Sequence, residues 1–83
     1  MSATAFTMYT TSWCGYCRRL KAGLAKAGID YTEVDIERDD QAAERVMAVN
    51  NGNQTVPTLD FSDGSSLTNP SVAQVQQKLD ALV

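Results

Sequence analysis

The stretch TAFTMYTTSWCGYCRRLKAGLAKAGIDYTEVDI, residues 4–36, holds two runs of β-formers with a cysteine pair and a segment of helical spacing between them. Residues 4 to 9, Thr-Ala-Phe-Thr-Met-Tyr, are short and rich in side chains that suit a pleated surface, so they are expected to form a first strand, followed by a loop from Thr10 to Trp13. Cys17, Leu20, Leu24 and Ala27 then recur three and four positions apart, with Arg18, Arg19, Lys21 and Lys26 between them, and Gly28 follows as a helix stop. Tyr31 to Ile36 reads as the second strand. A helix joining two strands brings them back parallel, which fixes the first half of the topology and puts Cys14 where strand, loop and helix meet.

Outward from that unit, Asp39 or Asp40 can cap a second helix whose apolar side carries Ala43, Val46, Met47 and Val49. Asn-Asn-Gly-Asn at 50–53 ends it. Thr58 to Phe61 alternates as a third strand, and Asp63-Gly64 turns it into a short fourth near Ser66 to Thr68, an antiparallel hairpin. Asn69 as cap, Pro70 in the first turn, and Val72, Val75, Leu79 and Leu82 at helical spacing predict a closing helix. The order βαβαββα fits an α/β fold: a four-stranded mixed sheet with helices on both faces, residues 1–83 as one domain.

Composition narrows the function classes. No apolar run approaches the ~20 residues of a membrane span, and Met-Ser-Ala-Thr-Ala-Phe-Thr lacks the basic-then-apolar pattern of a signal peptide, so a cytoplasmic protein without a membrane partner is expected. The net charge of -3 is unevenly divided: residues 1–29 carry +4 and the remainder -7. No basic patch interleaves with aromatics, so nucleic acid is not an expected partner.

In a reducing cytosol a close cysteine pair is catalytic or metal-binding more often than a permanent crosslink. Two Cys and no His cannot complete the four ligands of a zinc site within one chain, so no resident metal is expected. A metal shared between two chains stays open. Cys17, in register with Leu20 and Leu24, also suits a small core residue. Cys14 stands at the helix start, where unpaired N–H groups and the helix dipole favour a thiolate. Nucleophilicity falls as a thiolate is stabilised, so attack gains little, whereas departure from a mixed disulfide gains more; this is the profile of a thiol that repeatedly accepts and releases a partner.

With Cys14-Gly15-Tyr16-Cys17 after a strand and Thr55-Val56-Pro57 before another, the sequence resembles the glutaredoxins, and TTSWCGYC, NGNQTVPT and DGSSLTNPS resemble the actinobacterial mycoredoxins over essentially the whole length. The resemblance implies the thioredoxin fold, Cys14 as nucleophile, Cys17 as resolving thiol, and Pro57 as a cis-proline facing them. From sequence alone Pro57 would be trans, because only ~5% of X-Pro bonds in folded proteins are cis. Val56 is carried over as a binding residue through its backbone. Trp13 before the nucleophile resembles the tryptophan of the thioredoxins more than most glutaredoxins and is carried over as a substrate contact, or else it shields the cysteine loop; Tyr16 reads as a residue that packs on a bound thiol. Tyr9 and Tyr31 are expected sheet residues.

One departure concerns the thiol. Where glutathione-using relatives commonly have Lys or Arg three residues before the nucleophile, this chain has Thr11, and near the last helix it has Thr68 and Asn69 where Asp is common. Mycothiol, a neutral cysteinyl pseudo-disaccharide, suits uncharged Thr11, Ser12, Thr68 and Asn69, although Thr68 and Asn69 also suit helix capping. The expected function is therefore reduction of protein-mycothiol mixed disulfides through Cys14, by a monomer with mycothiol as co-substrate, no bound cofactor, and mycothiol disulfide reductase as indirect partner. Two rivals accompany it: a thioredoxin-like dithiol reductant recharged by a flavin reductase, and a module holding an iron-sulfur cluster between two chains, which Gly15 after the nucleophile permits.

Overall fold

Alternation along strand β1 (Phe6–Thr10) sends Phe6 and Met8 into one layer of the core and Tyr9 into the other. The computed structural model describes residues 5–82. Its remaining elements are α1 (Gly15–Lys26), β2 (Thr32–Asp35), α2 (Asp40–Val49), β3 (Thr58–Phe61), β4 (Ser66–Thr68) and α3 (Val72–Leu82), in the expected order. The sheet runs β2-β1-β3-β4, with β1 and β2 parallel and the pairs β1/β3 and β3/β4 antiparallel.

Register decides which side chains share a face. Phe6 pairs with Phe61 and Met8 with Leu59, and these four pack with Leu20 and Leu24 of α1 and Val75 of α3. Tyr31 lies against the same layer, its ring stacked on Phe6 at 5.5 Å between centroids. On the opposite face Ala42, Ala43 and Val46 of α2 pack with Ile36, Tyr9, Val34 and Val56. Arg45 ties α2 to the sheet through two 2.9 Å hydrogen bonds to Asp60. Helices thus cover both faces, and Cys14 and Cys17 belong to the layer under α1.

Several expected boundaries move. Thr4 lies outside the described residues, and the described part of β1 begins at Phe6. β2 leaves out Tyr31 and Ile36; Ile36 is buried instead beneath α2. Ala27 is not on the apolar side of α1: it is the exposed C-cap, one position before Gly28 takes φ +72°, which a side-chain-bearing residue rarely adopts. Asp39 caps α2, accepting from the Ala42 N–H at 3.1 Å. Asn69 does not cap α3. Ser71 does, its Oγ accepting from the Gln74 N–H while Gln74 Oε1 accepts from the Ser71 N–H, and Pro70 precedes the cap. Asn69 sits at φ +49°, and its N–H serves Pro57. At the hairpin, the Ser65 hydroxyl and N–H, helped by Lys78 from α3, hold the Asp63 carboxyl down at about 2.

The contact between α1 and α3 depends on one glycine. A Cβ at Gly23 would stand 2.6 Å from Val72 Cγ2, closer than a stiff β-branched side chain can yield. Gly23→Ala gains about 1 kcal/mol of helix propensity and meets about 1–3 kcal/mol of overpacking. The expected result is a net loss of up to about 2 kcal/mol in urea unfolding, and a gain when the same change is made in Val72→Ala. Stabilisation in the parent background would show that the helices can part without cost.

Candidate active site

The loop that carries Cys14 is built by the end of β1 and the start of α1. Thr11 C=O accepts from the Cys14 N–H at 3.4 Å, and Cys14 then adopts the extended backbone of an N-cap, φ -81° and ψ 110°. Its Sγ takes the place of the usual cap oxygen, accepting from the Cys17 N–H at 3.1 Å. A C-x-x-C spacing is what this needs, because an N-cap atom reaches the N–H three positions on. The sulfur expected to be the nucleophile therefore sits on the first turn of the helix, where a developing negative charge meets an N–H and the dipole.

The two thiols are not equivalent. Both are free and both buried, at 4% exposure for Cys14 and 1% for Cys17. Burial pushes the Cys17 thiol up to about 12, reinforced by its hydrogen bond with Cys14, while a backbone contact with Thr11 and the charge of Lys21 act weakly the other way. Cys17 stays protonated at neutral pH.

Opposite Cys14 lies the segment before β3. The Val56–Pro57 bond is cis, and Val56 C=O faces the Cys14 thiol at 3.8 Å from Sγ. Asn50 braces this segment: its amide donates to Val46 C=O and to Thr58 Oγ1, its Oδ1 accepts from the Thr68 hydroxyl at 2.8 Å, and Thr58 Oγ1 donates to Thr55 C=O. Asn69 N–H donates to Pro57 C=O at 2.8 Å. Asn50 was visible in the sequence only as part of a helix stop.

Four of the residues expected to bind a thiol divide between two grooves, whereas Trp13, Val56, Pro57 and Thr68 line neither. Tyr16 and Asn69 line one of about 360 Å³ with Arg19, Leu20, Pro70 and Val72. Thr11 and Ser12 line another of about 380 Å³ with Thr10, Arg18, Lys21, Glu33 and Asp35. Thr11 is buried, and its Oγ1 has no hydrogen-bond partner among the described residues. Its hydroxyl is thus not presented at the surface, contrary to expectation. Thr68 spends its hydroxyl proton on Asn50.

Cations remain close to position 11. Lys21 is paired with Glu33 at 3.0 Å, but Arg18 and Arg19 make no ion pair among the described residues, and one stands at each groove. A neutral residue at position 11 does not leave the site without positive charge. Among the described residues no three His, Cys, Asp or Glu side chains are grouped to hold a metal ion.

Trp13 and Tyr16, on either side of Cys14 in sequence, are the large hydrophobic residues that remain exposed among the described residues, at 68% and 63%. The Trp13 indole N–H donates to Glu37 Oε2 at 3.2 Å. Glu37 carried no signal in the sequence, because a glutamate in a charged loop is ordinarily a solvated residue.

The Glutaredoxin family model matches residues 6–65. Over 79 residues, 95% of this chain and 94% of the relative, the sequence is 60% identical to a Mycobacterium tuberculosis protein provisionally named a glutaredoxin. It is 47% identical to the Corynebacterium glutamicum protein named Mycoredoxin 1 over 76 residues, 92% of this chain and 94% of that one. The glutaredoxin from Methanosarcina mazei has a similar fold, with TM-score 0.74 at 21% identity over 92% of this chain and 78% of that one.

Proposed function

The chain belongs to the glutaredoxin family, as a thiol-disulfide oxidoreductase, and on that basis we propose that it reduces protein-mycothiol mixed disulfides in the cytoplasm by a mechanism that needs only Cys14. The observation that carries the single-thiol mechanism is the inequality of the two sulfurs: Cys14 Sγ takes the Cys17 N–H at the helix start, while Cys17 is held protonated, up to about 12. The likeness to a protein named Mycoredoxin 1 supplies the thiol.

In the first step the Cys14 thiolate attacks the mycothiol sulfur of the mixed disulfide. The protein-mycothiol S–S bond breaks, a Cys14-mycothiol bond forms, and the protein thiolate leaves and takes a proton from water. In the second step a mycothiol thiolate attacks the mycothiol sulfur on Cys14, mycothiol disulfide leaves, and Cys14 returns as a thiolate. Mycothiol disulfide reductase, using NADPH, then returns two electrons to mycothiol. Cys17 contributes its N–H to the departing Cys14 sulfur in this scheme, and its thiol only in an internal-disulfide branch. The Val56 backbone, Pro57, Tyr16 and Asn69 are assigned to holding the incoming disulfide; Thr11 and Thr68 are assigned to shaping the loops beneath it.

The test compares kcat/KM for one target protein carrying either mycothiol or glutathione, each with its own reductase in excess. Mycothiol is expected to be favoured at least ~10-fold, the equivalent of about 1.4 kcal/mol of discrimination. Because Arg18 and Arg19 can meet a glutathione carboxylate, that preference should come from contacts with the sugar and inositol hydroxyls rather than from repulsion. Equal efficiencies would end the mycothiol assignment while leaving the glutaredoxin chemistry in place.

A further inference from the structure

An exposed indole next to a buried nucleophile is an unusual investment of apolar surface, and Trp13 is not left to move freely. Its N–H is held by Glu37 Oε2 at 3.2 Å, from a loop 24 positions further along the chain. That loop is itself fixed. Ile36 N–H donates to Thr10 C=O at 3.0 Å and its side chain is buried, which anchors the loop beside the end of β1. Asp35 then folds it, Oδ1 accepting from the Glu37 N–H at 2.9 Å and the backbone C=O from the Arg38 N–H at 3.1 Å. The Glu37 carboxylate is presented by a pinned turn, and it takes the indole by its edge.

Holding the edge leaves most of the indole surface uncovered, at 68% exposure. A tryptophan whose orientation is already set loses little freedom on contact, which is the property of the anchors that dominate protein interfaces. A low-molecular-weight disulfide needs only the sulfur and the immediate groove. A polypeptide that reaches a Cys14 exposed by only 4% must also pass its exposed neighbours in the chain, of which Trp13 directly precedes it.

We propose that Glu37 is a positioning residue for protein substrates, orienting the Trp13 indole as the platform on which the polypeptide side of a mixed disulfide docks. It acts through Trp13 and has no part in the chemistry at Cys14. The proposal rests on the reading of the protein as a reductase of mixed disulfides, but not on which small thiol it uses.

The experiment measures Glu37→Ala and Glu37→Gln with two substrates carrying the same thiol, a folded protein and β-hydroxyethyl thiol, each as a mixed disulfide, in parallel mycothiol and glutathione series. Glu37→Ala is expected to raise KM for the protein substrate about 3- to 10-fold, the range of one ordinary, solvent-exposed hydrogen bond, with kcat and the small-substrate constants within about twofold. Glu37→Gln, which keeps an acceptor oxygen, should restore most of the loss. Trp13 is the one tryptophan of the sequence, so its fluorescence anisotropy reports the contact directly: it should fall in Glu37→Ala and recover in Glu37→Gln. In a Trp13→Ala background, Glu37→Ala should add nothing.

Equal losses on the protein and the small substrate, additivity with Trp13→Ala, or unchanged anisotropy would each overturn the proposal. The ratio of protein to small substrate is read within each thiol series. A failure of the mycothiol assignment therefore changes which series is fast, and leaves that ratio, and with it the role of Glu37, intact.

Discussion

Cys14→Ser is expected to abolish reduction of every disulfide substrate, whereas Cys17→Ser keeps the reduction of mixed disulfides. In the proposed route Cys14 supplies the sulfur for both exchange steps, and a serine oxygen on the same N-cap would still hold the Cys17 N–H, so the fold should survive while the chemistry stops. The reason to expect Cys17 to be dispensable is electrostatic. With its thiol pushed up to about 12, Cys17 is protonated in nearly all molecules at pH 7, and it is the thiolate that attacks. Burial, the largest cause, persists when Cys14 is in a mixed disulfide, although the part due to Cys14 itself is then lost.

The pH dependence follows with a definite sign. Between pH 6.5 and about 8.5 both Cys17 and a free small thiol gain thiolate about tenfold per unit, so the partition between the internal branch and the second small thiol stays flat. Above about 8.5 the small thiol passes its midpoint and levels off, while Cys17 continues to gain. The rate of Cys17→Ser relative to the parent should therefore be constant at lower pH and rise above about 8.5, as the parent diverts into its internal disulfide. NADPH-coupled turnover of one mycothiolated protein from about pH 6.5 to 9.5 measures this. Loss of mixed-disulfide turnover in Cys17→Ser would overturn the single-thiol mechanism and favour the thioredoxin-like dithiol route.

The second large effect is on stability. Leu24, fully buried at 0% exposure, is an α1 member of the layer that also holds Cys17, Leu20, Met8, Leu59 and Val75. Leu24→Ala removes three carbons from a site closed by β1, β3 and α3, and such truncations cost about 2–5 kcal/mol. A chain of this length has only about 4–12 kcal/mol in total, so the variant should lose at least about a sixth of its stability, and at the upper end of the cost all of it, in urea unfolding. Leu24→Met, nearly equal in volume, should stay within about 1.5 kcal/mol of the parent. Because the same helix carries the Cys17 N–H to Cys14, Leu24→Ala should also lose activity at temperatures where the parent keeps it. A loss below about 1 kcal/mol would mean that the layer closes over the gap and that α1 is held mainly from elsewhere.

Much of the fold was legible because its signals are local. The spacing of Leu20 and Leu24, the alternation in Thr58 to Phe61 and the Asp63-Gly64 turn act over one to four residues, and the β-α-β order leaves a parallel pair as the way to close the sheet. The place of Cys14 at the head of α1 was local too, since a cap and the N–H it serves are three positions apart. Where expectation and structure part, two local signals compete. Asn69 and Ser71 are both acceptable caps, and the cap falls at Ser71 because Asn69 is held at φ +49°, away from the extended backbone of an N-cap, with its N–H donated to Pro57 C=O in the segment before β3.

The order of residues alone specifies the set of elements, their succession and the cysteine that leads a helix. The chemistry around that cysteine depends on closure of the fold. Val56 C=O reaches Cys14 across 42 positions, and Glu37 reaches Trp13 across 24. The protonated state of Cys17 comes mainly from burial in a layer to which β1, β3 and α3 contribute, and the burial of Thr11, which withdraws its hydroxyl from the surface, is likewise known only once the chain has closed. The exposure, hydrogen-bond partners and charge of a side chain depend on which distant segments arrive around it, and a periodicity read along the chain contains no term for them.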